Sequence, residues 1–132
     1  MQELNRLFAE ATSYIKKDVV NEPELFFDES KRIIQWTGGI VKISRKRFLF
    51  LKTLWNAKKY NEDKIATIAE LEEQVWDDVG DSPQNMFIAK NRLFGLLFHL
   101  QNFISSVNFP YKIESVKNFS TGELLGYRLL LR

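Results

Sequence analysis

The sequence predicts an α+β domain that closes on a long helix followed by a β-hairpin. Three observations carry this. Residues 24–43 are short runs of β-branched and aromatic side chains separated by turn residues, the pattern of a small antiparallel sheet. Three later segments each join a helical apolar period to a capping residue, at Ser44, Thr67 and Ser82. The C-terminal segment holds two strand-like runs, 111–117 and 125–131, around the polar loop Asn118-Phe-Ser-Thr-Gly-Glu123. At 132 residues the chain has the length of one domain. A chain of this size buries roughly two-thirds of the surface its unfolded form exposes, so a core needs no covalent staples.

Residues 2–19 read as an extra N-terminal helix. Leu4, Leu7, Phe8, Ala11, Tyr14 and Ile15 recur at helical spacing, and Asn21-Glu22-Pro23 ends the segment because Pro cannot continue a helix. The chain therefore divides into an amphipathic helix and linker, 1–22, and a main domain, 23–132. In the main domain Glu24–Phe27 is a first strand and Asp28-Glu29-Ser30 a turn. Arg32–Trp36 is the second strand, Thr37-Gly38-Gly39 a tight turn that tolerates positive φ, and Ile40–Ile43 the third.

Ser44 stands as N-cap of a helix from Arg45 to Ala57, with Phe48, Leu51, Leu54 and Trp55 on one face. Residues 58–66 form a polar connection. Thr67 and Glu70 fit a capping box for a helix ending near Trp76, and residues 77–81 form an acidic loop. Ser82 and Pro83 open the long helix, with Pro at the first helical position, where its missing N–H costs nothing. From 83 to 105 that helix spans about 35 Å at roughly 1.5 Å per residue. Met86, Ala89, Leu93, Leu96, Leu97 and Leu100 form its buried stripe, extended by Phe103 and Ile104. Ile88, Asn91, Arg92, Gly95, Phe98, His99 and Asn102 lie opposite.

Composition excludes several function classes. The chain has no Cys, which removes disulfides, thiolate metal sites and Cys nucleophiles and fits a cytoplasmic setting. No apolar run approaches the roughly 18 residues a membrane span needs, and the N-terminus lacks a signal-peptide pattern. His99 is the lone His, on an apolar helix without evident catalytic partners. Asp77, Asp78 and Asp81 lack the spaced ligands of a calcium loop. No enzyme, metal, cofactor or small-molecule substrate is therefore expected. Charge runs in blocks: net −4 over 1–30, +9 over 31–60, −7 over 61–82 and +4 over 83–132. Such blocks either build a basic and an acidic face or neutralise one another across the surface.

In order and in local marks the chain resembles the OmpR/PhoB-type winged-helix (winged helix-turn-helix) DNA-binding domain over about 24–131. The marks are Val41-Lys-Ile-Ser-Arg-Lys-Arg-Phe48, Thr67 to Leu71 with Gln74-Val75-Trp76, and Ile113-Glu-Ser-Val116 followed by Gly126-Tyr-Arg-Leu129. The resemblance implies a small N-terminal sheet, three helices and a hairpin wing. It also implies a bacterial-type transcriptional regulator, the effector domain of a response regulator, binding duplex DNA sequence-specifically as a homodimer on repeated half-sites. The recognition helix is then 82–105 and the wing 111–131. By position, Gln84, Asn85, Asn91 and Arg92 read bases. Arg45, Lys46, Arg47, Lys112 and Lys117 hold phosphates. The loop with Asp77, Asp78 and Asp81 faces RNA polymerase.

The sequence also departs from the family. Arg47 stands where an acidic residue is usual, and the outward face of the long helix is poor in Arg. Ile88 and Phe98 point outward there instead. These departures define a second expectation, a winged-helix protein-interaction module that has lost DNA binding and uses Ile88, Phe98 and the N-terminal helix.

Overall fold

The computed structural model describes residues 22–76 and 86–132, so the expected N-terminal helix and the acidic loop at 77–81 lie outside the described residues. The described chain is α+β, with three helices and two small antiparallel sheets. The first sheet pairs β1 (Phe26–Asp28), β2 (Ile33–Trp36) and β3 (Gly39–Lys42) in sequence order. Alternation sets its two faces. Ile34, Trp36 and Val41 are buried, while Phe26, Gln35 and Ile40 face out. Gly38 makes the β2–β3 turn at φ +112, a conformation open to Gly. Gly39 serves otherwise: a Cβ there would lie 2.4 Å from the Trp36 ring.

Helix α1 (Arg45–Tyr60) runs one turn beyond the expected end. Phe48, Phe50, Leu51, Leu54, Trp55 and Ala57 are all buried, more of the circumference than one amphipathic stripe, because α1 contacts α2 (Ile68–Val75), α3 (Met86–Ser106) and the second sheet. Ser44 occupies the N-cap backbone position, but its hydroxyl makes no capping bond. The helix starts on its carbonyl, which accepts from Phe48 N at 2.9 Å.

Thr67 caps α2 as expected, its hydroxyl accepting from Glu70 N at 3.2 Å. The reciprocal half of the capping box differs: the Glu70 carboxylate accepts from the Asn61 side-chain amide at 3.3 Å. The end of the polar connection also contains a strand, β4 (Ala66–Thr67), which pairs with β6 (Leu124–Leu131) opposite Tyr127 and Gly126. The second sheet therefore has the order β4-β6-β5, with β5 at Tyr111–Lys117.

Helix α3 ends where Asn108 takes a left-handed φ of 58, which Asn tolerates better than most residues, and Pro110 follows. Its buried stripe matches the expected one at Ala89, Leu93, Leu97, Leu100 and Ile104. An aromatic chain ties the layers together. Trp36 meets Phe109 at 5.3 Å between ring centroids, Phe109 meets Tyr111 at 6.2 Å, and Tyr111 meets Trp55 at 5.7 Å.

Buried Tyr111 donates its hydroxyl to the Pro23 carbonyl at 2.5 Å. Burial first, and then the nearby charges of Glu22 and Glu24, push its pKa up to about 12. The folded value lies above the unfolded one near 10, so the associated stability is intact below about pH 10 and is lost as pH rises through about 12. Thermal melts followed by circular dichroism should lose more between pH 9 and 11.5 in the natural chain than in Tyr111→Phe. Equal losses would refute this assignment.

Candidate functional site

Helix α3 and the hairpin present the surface with the most candidate residues. From Leu93 to Ser106, α3 contains no Asp, Glu, Lys or Arg. Its outward side chains are Ile88, Asn91, Phe94, Phe98, His99 and Asn102, with Gly95 among them. Phe94 is 62% exposed, Phe98 56% and Ile88 39%. The helix supplies this face because its other side, at three- and four-residue spacing, is consumed by the core.

The two described cations of α3, Lys90 and Arg92, are both engaged. Lys90 pairs with Glu123 of the hairpin loop at 3.5 Å. Arg92 is a correction to the sequence expectation that it points outward. Its Nε donates to both carboxylate oxygens of Glu72 on α2, at 2.9 and 2.8 Å, and its Nη2 donates to Glu72 as well. Glu72 is buried, and the guanidinium also lies over the Trp76 ring at 4.2 Å. A buried carboxylate demands such a partner, and Arg92 is the side chain that reaches it. Its guanidinium is thus used for joining α2 to α3.

The expected phosphate-binding residues divide. Arg45, Lys46 and Arg47 were expected at an exposed helix start, but all three are half-buried. Lys46 also lies over the Trp76 ring, its Nζ 5.2 Å from the centroid, and Arg45 lines a cleft with Glu29, Lys52, Glu70 and Glu73. Lys112 and Lys117 are exposed on β5 and, with Phe94, Gln101 and Leu124, line a groove between α3 and the hairpin. Asn91 is exposed on α3. Gln84, Asn85, Asp77, Asp78 and Asp81 lie outside the described residues.

Three of the nine cations of the basic block at 31–60 are paired with acids that precede it. Lys52 pairs with Glu29, Lys58 with Glu22 at 3.1 Å and Lys59 with Glu24 at 2.7 Å. These pairs join the basic block to the acidic block before it, while Lys31, Arg32 and Lys42 of the same block remain exposed.

Two residues of this surface escaped sequence reasoning. Phe94 stands four positions before Phe98, a spacing that places both on one side of a helix, and that signal was available. Phe119, at the tip of the hairpin loop, is fully exposed. Its loop is well held: Asn118 Oδ1 accepts from Ser120 N at 2.8 Å and from Thr121 N at 3.0 Å. In addition, Gly122 N donates to Asn118 O at 2.8 Å. Among the described residues no group of three or more His, Asp or Glu is placed to hold a metal ion, and no helix is long and apolar enough to cross a membrane. No protein-family model matches the chain, and no curated protein matches it.

Proposed function

We propose that the chain is a winged-helix module whose working surface is the outward face of α3, and that this face binds a protein through an uncharged, apolar patch. The observation that carries the proposal is the exposure of Phe94, Phe98 and Ile88 on a face without Asp, Glu, Lys or Arg. Clustered aromatics of this kind are frequent anchors of protein interfaces. A groove-reading helix needs cations for the phosphates that dominate DNA affinity, and both described cations of α3 are committed to Glu72 and Glu123. The Asn91, His99 and Asn102 side chains supply the polar groups that orient a partner.

One observation favours duplex DNA as the second reading. Lys112 and Lys117 are exposed beside α3, and neither forms an ion pair among the described residues. The transcription-regulator role implied by the family resemblance rests on these lysines, with Asn91 as the exposed base-reading candidate.

The two readings separate by experiment. A photo-crosslinking amino acid at Asn91 should form a defined protein adduct that the Phe94→Ser/Phe98→Ser variant no longer forms, while its thermal melt stays within a few degrees of the natural chain. In parallel, random duplex DNA titrated at low salt should show no binding. Binding that weakens steeply with added salt, and that is lost in Lys112→Ala/Lys117→Ala, would establish the DNA reading instead.

A further inference from the structure

Strand β5 is the outer strand of the second sheet, and among the described residues no strand pairs with its far edge. Ladder geometry fixes which backbone groups line that edge. The Arg132 N–H donates to Pro110 O at 3.1 Å, just outside the two strands. Bonded pairs alternate along an antiparallel ladder, so in the register of β5 and β6 residues 112, 114 and 116 exchange hydrogen bonds with β6. The N–H and C=O groups of Ile113 and Ser115 therefore point away from β6. Gln101 of α3 agrees with this direction, its side-chain amide donating to Ile113 O at 3.2 Å. The Ser115 N–H and C=O meet no such partner among the described residues. An unpaired donor and acceptor on an edge strand are a template for another strand.

The edge opens into the groove between α3 and the hairpin. Phe94 and Leu97 line its α3 side, and Lys112 and Lys117 line its β5 side. Ile113 is buried and Lys112 exposed. Alternation then puts Ser115 on the α3 side of the strand with Ile113, and Lys112 on the other. Neither lysine forms an ion pair among the described residues, whereas Glu114, which also lines the groove, is committed to Arg128 at 2.6 Å. An apolar wall, an open strand edge and an excess of positive charge thus lie side by side.

We propose that this groove takes an extended acidic segment of a partner protein, which adds to β5 as a further strand by pairing with Ser115. The proposal rests on the protein-binding reading of the α3 surface and names the chemistry of the partner. Side chains of the added strand alternate. The one opposite Ser115 is apolar and meets Phe94 and Leu97. Carboxylates toward the two ends meet Lys112 and Lys117, which stand roughly 16 Å apart along the strand. Complementarity selects this occupant. A peptide backbone answers the Ser115 donor and acceptor together, whereas a phosphate only accepts and leaves the C=O unmet. A second copy of this chain brings the same two lysines to a two-fold contact, where like charges oppose pairing.

Fluorescence anisotropy tests this on the full chain, with a labelled peptide of about nine residues alternating Val and Glu. It should bind at least about tenfold more tightly than the same peptide with Lys in place of Glu, and less tightly as salt rises. Ser115→Pro removes the outward N–H, a change an edge strand accommodates, and should weaken binding at least about tenfold. Lys112→Ala/Lys117→Ala changes only exposed side chains and should abolish the preference for the acidic peptide, whatever Ser115→Pro does to folding. No binding of the acidic peptide, equal binding of the basic one, or unchanged binding by folded Ser115→Pro would each overturn the proposal. So would displacement of the peptide by duplex DNA, or self-association of the chain that Ser115→Pro abolishes. If the photo-adduct at Asn91 forms equally in the natural chain and in Ser115→Pro, the α3 face still binds a protein and only the strand pairing is overturned; no adduct in either overturns the reading beneath it.

Discussion

Replacing Arg92 by Ala should destabilise the domain by roughly 3–5 kcal/mol, the range for stripping one partner from a buried ion pair. The physical reason is Glu72, a carboxylate only 7% exposed that receives several hydrogen bonds from the Arg92 guanidinium. Without Arg92 that charge is stranded in a poorly solvated site, and the stacking on Trp76 is lost with it. In a domain of this size the melting temperature should fall by on the order of 10 °C. Replacing both partners together, Arg92→Met/Glu72→Leu, should recover most of the loss, because an apolar pair of similar volume leaves no unpaired charge. Denaturant midpoints of the single and double variants check both statements. If Arg92→Ala melts like the natural chain, the pair is not structural and the outward placement of Arg92 is restored.

Gly126→Ala is the second large effect expected. A Cβ at Gly126 would lie 2.0 Å from the Ala66 carbonyl oxygen and 2.9 Å from its carbon. Both atoms are backbone, so relief requires β4 to move away from β6 rather than a side chain to rotate. Overpacking of this kind costs roughly 3 kcal/mol, and the β4 pairing and the Thr67 cap at the start of α2 should weaken together. Gly95→Ala is the matched control. That position is exposed on α3, and nothing lies within 4 Å of the added Cβ. There Ala should stabilise by up to about 1 kcal/mol, since Gly is the poorer helix former. Urea melts of the two variants should therefore move in opposite directions; a Gly126→Ala chain as stable as the natural one would refute the close approach of β4.

The Gly126 result also locates where sequence reasoning stopped. Ala66–Thr67 carries no alternation to recognise, since two residues make no period, and β4 exists only because β6 passes beside it with a glycine at the contact. The hairpin, by contrast, was legible at 111–117 and nearly so at its second strand, because each run is long enough to show its pattern between turn residues. The buried stripe of α3 was equally legible, since Ala89, Leu93, Leu97, Leu100 and Ile104 keep helical spacing. The outward face was predicted at Ile88, Asn91, Phe98, His99 and Asn102, but not at Phe94, and was wrong at Arg92. Helical spacing places a side chain's Cα on a face; whether a long Arg then swings to a neighbouring helix depends on what that helix offers. Glu72 on α2 offers a buried carboxylate twenty residues away in sequence.

The same limit governs charge. Composition by blocks counts Lys52, Lys58 and Lys59 as part of a basic stretch, and folding brings Glu29, Glu22 and Glu24 against them. Local order of apolar residues, caps and turns was sufficient for the α+β class, the three helices and the closing hairpin, because each of these is set by neighbours a few residues apart. The pairing of β4, the burial of Glu72 and the engagement of Arg92 are long-range contacts, and so they were decided only in the tertiary structure. The uncharged aromatic face on α3 was by contrast partly legible, at Ile88 and Phe98 and in the absence of charge from Leu93 to Ser106; the structure added Phe94 and removed Arg92.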